Sequence, residues 1–261
     1  MPEDLGALFG GVVVPEATPS PRTIRFATPP LGDGPSRAFT RDDAGDDAPV
    51  ARLFAVSAEV TNVLVGPTFV AVTIARPDAW ESLLASLLDA VTAGFAGAAM
   101  PTSARDAPTP AAPGPGGPVA DHEPRRLETA WRELGAAAGS DDHDARVVAA
   151  TRADEPERRQ VAAVLLADVA ADVAATHWAR LVDDPSRSVR RATVDTVGDA
   201  QREELRPLLE SALGDADPWI RWRALRGIAQ LGADASRGAV AGLAEDPDFR
   251  VRLEAARTIA G

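Results

Sequence analysis

The sequence predicts two modules: a small α+β domain, with helices packed on a sheet, followed by an all-α helical solenoid. Three observations support this prediction. Residues 1–95 alternate strand-like and helix-like patterns, residues 96–120 hold six prolines without a periodic apolar pattern, and one helical segment recurs every 31 positions in the second half. The predicted modules are therefore residues 1–95 and 121–261, joined by a linker at 96–120.

Composition and charge limit the possible functions. The chain of 261 residues has a formal net charge of -12, which disfavours attraction to phosphate backbones or anionic lipid, so neither nucleic acid nor a membrane is an expected partner. The chain has no cysteine, which excludes disulfides, thiolate nucleophiles and cysteine-ligated metal centres. The apolar run at residues 5–14 follows two acidic residues and is too short to span a bilayer. We expect it to be a core strand or docking segment, in a cytoplasmic protein.

The elements of the first module can be predicted in order. Residues 24–26 read as a strand, and Pro49 begins a short amphipathic helix. Two β-rich runs within residues 60–74 flank Gly-Pro-Thr and predict a hairpin. Asp78 then opens a capping-box signature, and apolar residues at helical spacing predict a helix over residues 80–95.

This order of elements resembles the N-terminal domain of the Nfu/NifU-like iron–sulfur scaffold proteins. The matching stretches are residues 18–26 (TPSPRTIRF), 47–73 and 80–95. Ser20 stands where that family usually has asparagine. The cluster chemistry of the family belongs to a separate domain with a Cys-x-x-Cys pair, and this chain has none. The resemblance therefore implies the fold, and it does not imply that this chain carries a cluster.

The second module contains the recurring segment. Its copies align at Val189, Ile220 and Val251, and apolar or small residues at offsets 0, 4, 5 and 8 lie on one helix face. An Asp-Pro pair precedes each copy and is expected to end the previous helix. A fourth copy lies at residues 155–167, and a degenerate fifth begins at 123–135. A helix–turn–helix unit of this length cannot bury its own apolar face, so the copies are expected to stack.

These repeats resemble HEAT-type repeats, including the short form of phycobilin-lyase-like proteins. The order of the two modules is also similar to the bacterial conserved virulence factor family, in which an Nfu-like domain precedes HEAT repeats. The apolar stripe continues to the end of the sequence, where a second copy of the chain, the first module or a partner is expected to cover it.

An arginine follows the first apolar position in each copy. This arginine column could bind an anionic ligand, or it could pair with the Asp-Pro carboxylates of neighbouring repeats as a structural ladder, which we favour. The three histidines are far apart and lack metal-ligand spacing. We therefore predict no catalytic residue, no metal site and no cofactor. The column comprises Arg159, Arg190, Arg221 and Arg252; the histidines are His122, His143 and His177.

Positions two and six places after the repeated Val or Ile face away from the apolar stripe. Exposed tryptophan beside arginine is typical of protein-binding hot spots, although Arg226 could instead simply cover the ring of Trp222. The leading interpretation is a non-catalytic adaptor or scaffold that holds another protein, linked by resemblance to iron–sulfur assembly. The alternative is an enzyme, or enzyme subunit, of the HEAT-like lyase type acting on a small ligand or chromophore. The predicted protein-binding residues are Arg191, Trp219, Trp222, Arg226, Leu253 and Arg257.

Overall fold

The computed structural model describes residues 5–45, 47–97, 123–135 and 142–260. These residues form two compact units. The first unit combines the N-terminal residues with the stretch of chain from Ala244 onward, and the second unit ends at Leu243. The predicted linker lies outside the described residues except for its first two positions, so the boundaries at 95 and 121 stay predictions.

The first unit contains a sheet of five antiparallel strands in the order β1-β2-β5-β4-β3. Alternate residues of the three middle strands are fully buried, as expected for a sheet with one face on a core. The predicted strand at 24–26 and the predicted hairpin are confirmed. The strands are β1 (Val14–Ala17), β2 (Thr23–Ala27), β3 (Arg37–Phe39), β4 (Val60–Gly66) and β5 (Phe69–Ile74).

The helices account for most of the remaining described chain. No helix among the described residues is long and apolar enough to cross a membrane. Numbered along the chain, they are α1 (Ala48–Val56), α2 (Trp80–Phe95), α3 (Glu123–Gly135), α4 (His143–Ala150), α5 (Pro156–Leu165), α6 (Ala171–Leu181), α7 (Arg187–Ala200), α8 (Arg206–Ala212), α9 (Pro218–Leu231), α10 (Arg237–Ala241) and α11 (Phe249–Ala260).

Helices α1 and α2 pack against each other in the first unit, and α1 also contacts β4. Asp47 caps α1 by accepting a hydrogen bond from the backbone N–H of Val50 at 3.2 Å. The expected capping box of α2 is wrong: Asp78 lies in a 3₁₀ turn, and the N-cap is Ala79, whose side chain cannot accept a hydrogen bond. The helix is nevertheless held by its apolar face, which includes the buried Trp80.

The apolar run at residues 5–14 is expected to be a core strand or a docking segment. Residues Leu5–Phe9 form a 3₁₀ helix rather than part of a strand. This 3₁₀ helix and the edge strand β1 both contact α11, the last helix of the chain. The apolar stripe of α11 is covered at Val251 and Ala255, which are both buried. Of the three covers considered for the end of the apolar stripe, the structure shows the first module against α11.

The second unit is a stack of helices. The row α3, α5, α7 and α9 forms because each helix packs on the next. Helices α4, α6 and α8 lie beside this row: α4 contacts α5, α6 contacts α5 and α7, and α8 contacts α7 and α9. The repeated Val189 and Ile220 are fully buried between these layers. The predicted fold class, an α+β domain followed by a HEAT-like helical array, is confirmed.

Candidate protein-binding site

The arginine column forms a ladder between successive repeats. Arg159 donates to both carboxylate oxygens of Asp184, at 2.7 and 3.0 Å, and Arg190 does the same to Asp215, at 2.7 and 3.2 Å. In each arginine the remaining nitrogen, Nη1, donates to backbone carbonyls of the arginine's own repeat. These hydrogen bonds raise the pKa of Arg159 and Arg190 although burial lowers it. The structural interpretation of the column therefore holds for these two arginines.

The carboxylates of the ladder are not all from Asp-Pro pairs. Asp184 and Asp215 stand 31 positions apart, and each accepts a hydrogen bond from the backbone N–H two residues later, at 2.8 and 2.7 Å. Asp215 is followed by Ala216, whereas the Asp-Pro aspartate of that repeat is Asp217. The expected pairing with Asp-Pro is thus wrong in this repeat, because the Asp-Pro position there has shifted by two residues.

Asp217 instead organises a second group of side chains. As the N-cap of α9 it accepts a hydrogen bond from the backbone N–H of Trp219 at 3.1 Å. Arg187 donates to it from Nε at 2.7 Å and Nη2 at 3.1 Å, and Arg191 from Nε at 2.5 Å and Nη2 at 3.2 Å. The two arginines are one turn apart on α7, so both reach the same carboxylate.

Two tryptophans of α9 continue this group. The guanidinium of Arg191 lies 5.0 Å from the centroid of the Trp219 ring, and that of Arg226 lies 5.4 Å from the Trp222 ring. The two indole rings meet edge to face, with centroids 6.2 Å apart and planes at 60°. We call the set Arg187, Arg191, Trp219, Trp222 and Arg226 the arginine–tryptophan patch.

The arginine–tryptophan patch carries an excess of positive charge. Burial by itself would raise the pKa of Asp217, but hydrogen bonds from Arg187 and Arg191 together outweigh it and hold this pKa well below its ordinary value. Asp217 is therefore ionised at neutral pH and neutralises one guanidinium of the two. Arg226 makes no ion pair within the part of the chain that the structure describes. Arg187 and Arg191 thus share one carboxylate, and Arg226 adds a third guanidinium to the patch, in a chain whose net charge is -12.

An acidic region adjoins the patch further along α7. Arg223 lies across this helix and donates to Asp195 and Asp199, both at 2.5 Å. Gly198 makes this possible, because a Cβ there would lie 2.6 Å from Nη1 of Arg223. Asp195 and Asp199 remain exposed, so two carboxylates share one largely buried guanidinium. The surface of α7 is therefore positive at its N-terminal end and negative at its C-terminal end.

The structure brings four of the six predicted residues together and separates two. Arg191, Trp219, Trp222 and Arg226 belong to the patch, whereas Leu253 and Arg257 lie on α11 in the first unit. Within α11, Arg257 donates from Nε to Glu254 at 3.1 Å.

The expectation that these positions face solvent is wrong for two of the residues. Trp222 is only 3% exposed and Leu253 is fully buried. For Trp222 the reason is that residues 220–225 of α9 are all buried, so this helix lacks a wide solvent face. Arg226 lies over its ring, as the alternative interpretation anticipated.

Arg187 is the member of the patch that the sequence interpretation missed. Its side chain is 62% exposed, although it holds the largely buried Asp217. The sequence feature that could have identified Arg187 is its spacing of four residues from Arg191, which places the two on the same face of a helix. It precedes the first repeated valine by two positions, where the other repeats carry Pro218 and Phe249.

The remaining candidate groups are the histidines. His177 is buried, with Nδ1 lying 3.1 Å from the hydroxyl of Thr151, and burial together with the charges of Arg152 and Arg180 lowers its pKa. Across the described ranges, no group of three or more His, Cys, Asp or Glu side chains could hold a metal ion. His122 lies outside the described residues.

A cleft of about 290 Å³ lies in the first unit, beside the start of α11. Two of its carboxylates already have guanidinium partners: Glu81 pairs with Arg252, and Asp248 with Arg250 at 2.9 Å. The cleft therefore offers few uncommitted charges to a polar cofactor. Its lining residues are Pro21, Pro77, Asp78, Glu81, Pro247, Asp248, Phe249 and Arg250.

Comparison with known proteins agrees with the fold of the two modules. Residues 13–97 match the family model for the N-terminal region of the scaffold protein Nfu/NifU, and residues 175–260 match the model for HEAT repeats. The suspected fusion of these two families is thereby confirmed, each match covering about a third of the chain. No curated protein matches the chain. The two families are generally non-catalytic, and HEAT repeats suggest a role in protein interaction.

Proposed function

We propose that this protein is a non-catalytic adaptor that holds another protein through its HEAT-type repeats. The observation that supports this proposal is the arginine–tryptophan patch on α7 and α9. Tryptophan and arginine dominate the binding energy of many protein interfaces, because they offer large apolar area and charged hydrogen bonds together. Trp219 is only half-buried, so part of its ring remains available to a partner.

The patch is also preorganised, which favours binding. Arg187 and Arg191 are fixed by two hydrogen bonds each to Asp217, and the rings of Trp219 and Trp222 are held edge to face. Immobilising a long side chain on binding costs about 0.5–1.5 kcal/mol. Side chains that are already ordered in the free protein avoid most of that cost.

The match of the first module to Nfu/NifU suggests a link to iron–sulfur assembly. Protein-bound clusters are held mainly by cysteine thiolates, and this chain has no cysteine. In our proposal the partner, rather than this chain, carries the cluster. This chain then binds that partner and positions it.

Quantitative affinity capture from the native cell tests this function. The full chain, a Trp219→Ala/Arg226→Gln variant and an Arg237→Gln control serve as baits, and bound proteins are compared by mass spectrometry. Arg237 is exposed and, within the described ranges, pairs only with the exposed Asp234, so its replacement controls for a lost charge. We expect at least one protein to be lost from the double variant and kept by the control. If every captured protein stays on both variants equally, the patch is not the binding site.

A further inference from the structure

The three guanidiniums of the arginine–tryptophan patch keep hydrogen-bonding capacity that the described residues do not use. Arg187 and Arg191 both bind Asp217 through Nε and Nη2, and among the described residues Nη1 of neither arginine has a hydrogen-bond acceptor. Arg226 has no carboxylate partner in the same part of the chain. Guanidinium nitrogens of this kind match the geometry of a carboxylate.

Charge at longer range narrows the choice of ligand. A polyanion such as nucleic acid would be repelled by the net charge of -12 and by the exposed Asp195 and Asp199 beside the patch. A single carboxylate in a protein segment avoids this repulsion, because it meets only the local excess of guanidinium. Residues of the same segment that lie near Asp195 and Asp199 are expected to be basic or neutral, because these two carboxylates would repel an acidic side chain.

The half-buried ring of Trp219 lies beside the guanidinium of Arg191 and meets the Trp222 ring edge to face, so it supplies the apolar part of the site. From these observations we infer that the patch recognises a carboxylate side chain of an extended partner segment, with Arg187 and Arg226 as its specificity-determining residues. The segment places an apolar residue on Trp219 next to that carboxylate. This inference rests on the proposed function, since it names the partner chemistry of the same site.

Arg187 and Arg226 are also the residues that can be tested without harming the fold. Replacing Arg187 leaves Asp217 paired with Arg191, and replacing Arg226 removes no ion pair of the described residues. Glutamine keeps part of the aliphatic stem over the Trp222 ring. The probe is a phage-displayed library of random peptides, selected on the intact full chain, with an unrelated protein as the background control.

We expect the selected peptides to be enriched in Asp and Glu at one position next to an apolar residue. Binding of a selected peptide, measured by fluorescence polarisation, should weaken about tenfold or more in Arg187→Gln/Arg226→Gln, since hydrogen bonds to charged groups contribute that much. The wild-type affinity should also fall as salt is raised. Arg237→Gln should bind like the wild type.

Two other results would overturn the inference. One of them leaves the proposed function intact, and the other also counts against it. Peptides without acidic enrichment that keep their affinity for the double arginine variant but lose it for Trp219→Ala would leave the proposed function standing and remove its carboxylate chemistry. Failure to enrich any peptide above the background control would count against the binding role of the patch itself. The first outcome is read from fluorescence polarisation with the variants, and the second from the selection itself.

Discussion

Breaking one step of the arginine ladder should unfold the second unit at a much lower denaturant concentration. Arg190→Ala removes the two hydrogen bonds to Asp215 and leaves that carboxylate, whose side chain is only 8% exposed, without its counter-charge. Removing one partner of a buried ion pair costs about 3–5 kcal/mol. Because the Arg190 side chain keeps some contact with solvent, we expect the low end, about 3 kcal/mol.

The assay is urea unfolding followed by tryptophan fluorescence, to which Trp178, Trp219 and Trp222 of the second unit contribute. With an m-value of about 2 kcal/mol/M, a loss of about 3 kcal/mol lowers the midpoint by about 1.5 M. Arg146→Ala is the matched control, because its pair with Asp142 is exposed and should contribute about 0.5 kcal/mol or less.

A double-mutant cycle separates the ion pair from other effects. Arg190→Ala/Asp215→Ala should be more stable than the sum of the two single changes predicts, because the second change removes the unpaired buried charge. The reasoning is refuted if Arg190→Ala costs no more than Arg146→Ala, or if the two single losses simply add.

Three other perturbations follow from the described contacts. The lowered pKa of His177 means that the folded state favours its neutral form, so stability is complete above the ordinary value near 6.5 and falls as pH drops below it. Urea midpoints at about pH 7.5 and 5.5 should therefore differ more for the wild type than for His177→Gln. Gly227→Ala should cost about 1–3 kcal/mol in the same assay, because the new Cβ would lie 3.2 Å from the Gly198 Cα and 2.9 Å from a Leu209 methyl; an unchanged midpoint would show that the helices separate easily. Leu253→Ala should destabilise by about 2–5 kcal/mol, because the side chain is fully buried; a loss below about 1 kcal/mol, measured by differential scanning calorimetry, would contradict its burial.

The strands show how far local sequence patterns could predict the fold. β2, β4 and β5 lie in runs of five or more residues that are rich in β-branched and aromatic side chains. β1 and β3 were missed, because they have only four and three residues and β1 contains Pro15. Both lie at the edges of the sheet, where pairing with one neighbour is enough to hold a strand that has no pattern of its own.

The repeat period predicted the stacking of helices but not the exposure of each position. The interval of 31 placed Val189 and Ile220 correctly in the core. The exposure of individual positions was harder to predict. Arg191 and Trp222 occupy the same position in successive repeats, yet Arg191 on α7 is partly exposed and Trp222 on α9 is buried. The role of Asp217 could not be read from the period either, since it depends on two arginines of the preceding repeat converging on one cap.

The position of α11 has a practical consequence for the design of recombinant fragments of this protein. The helix falls within the region that matches HEAT repeats, yet it packs on β1 and the N-terminal 3₁₀ helix. A recombinant fragment covering only the Nfu/NifU match would leave that apolar surface bare and prone to aggregate. A fragment of the repeats alone would end in α11 without the strand and 3₁₀ helix against which it packs. The gene is therefore better expressed whole, or with the final helix supplied in trans as a peptide.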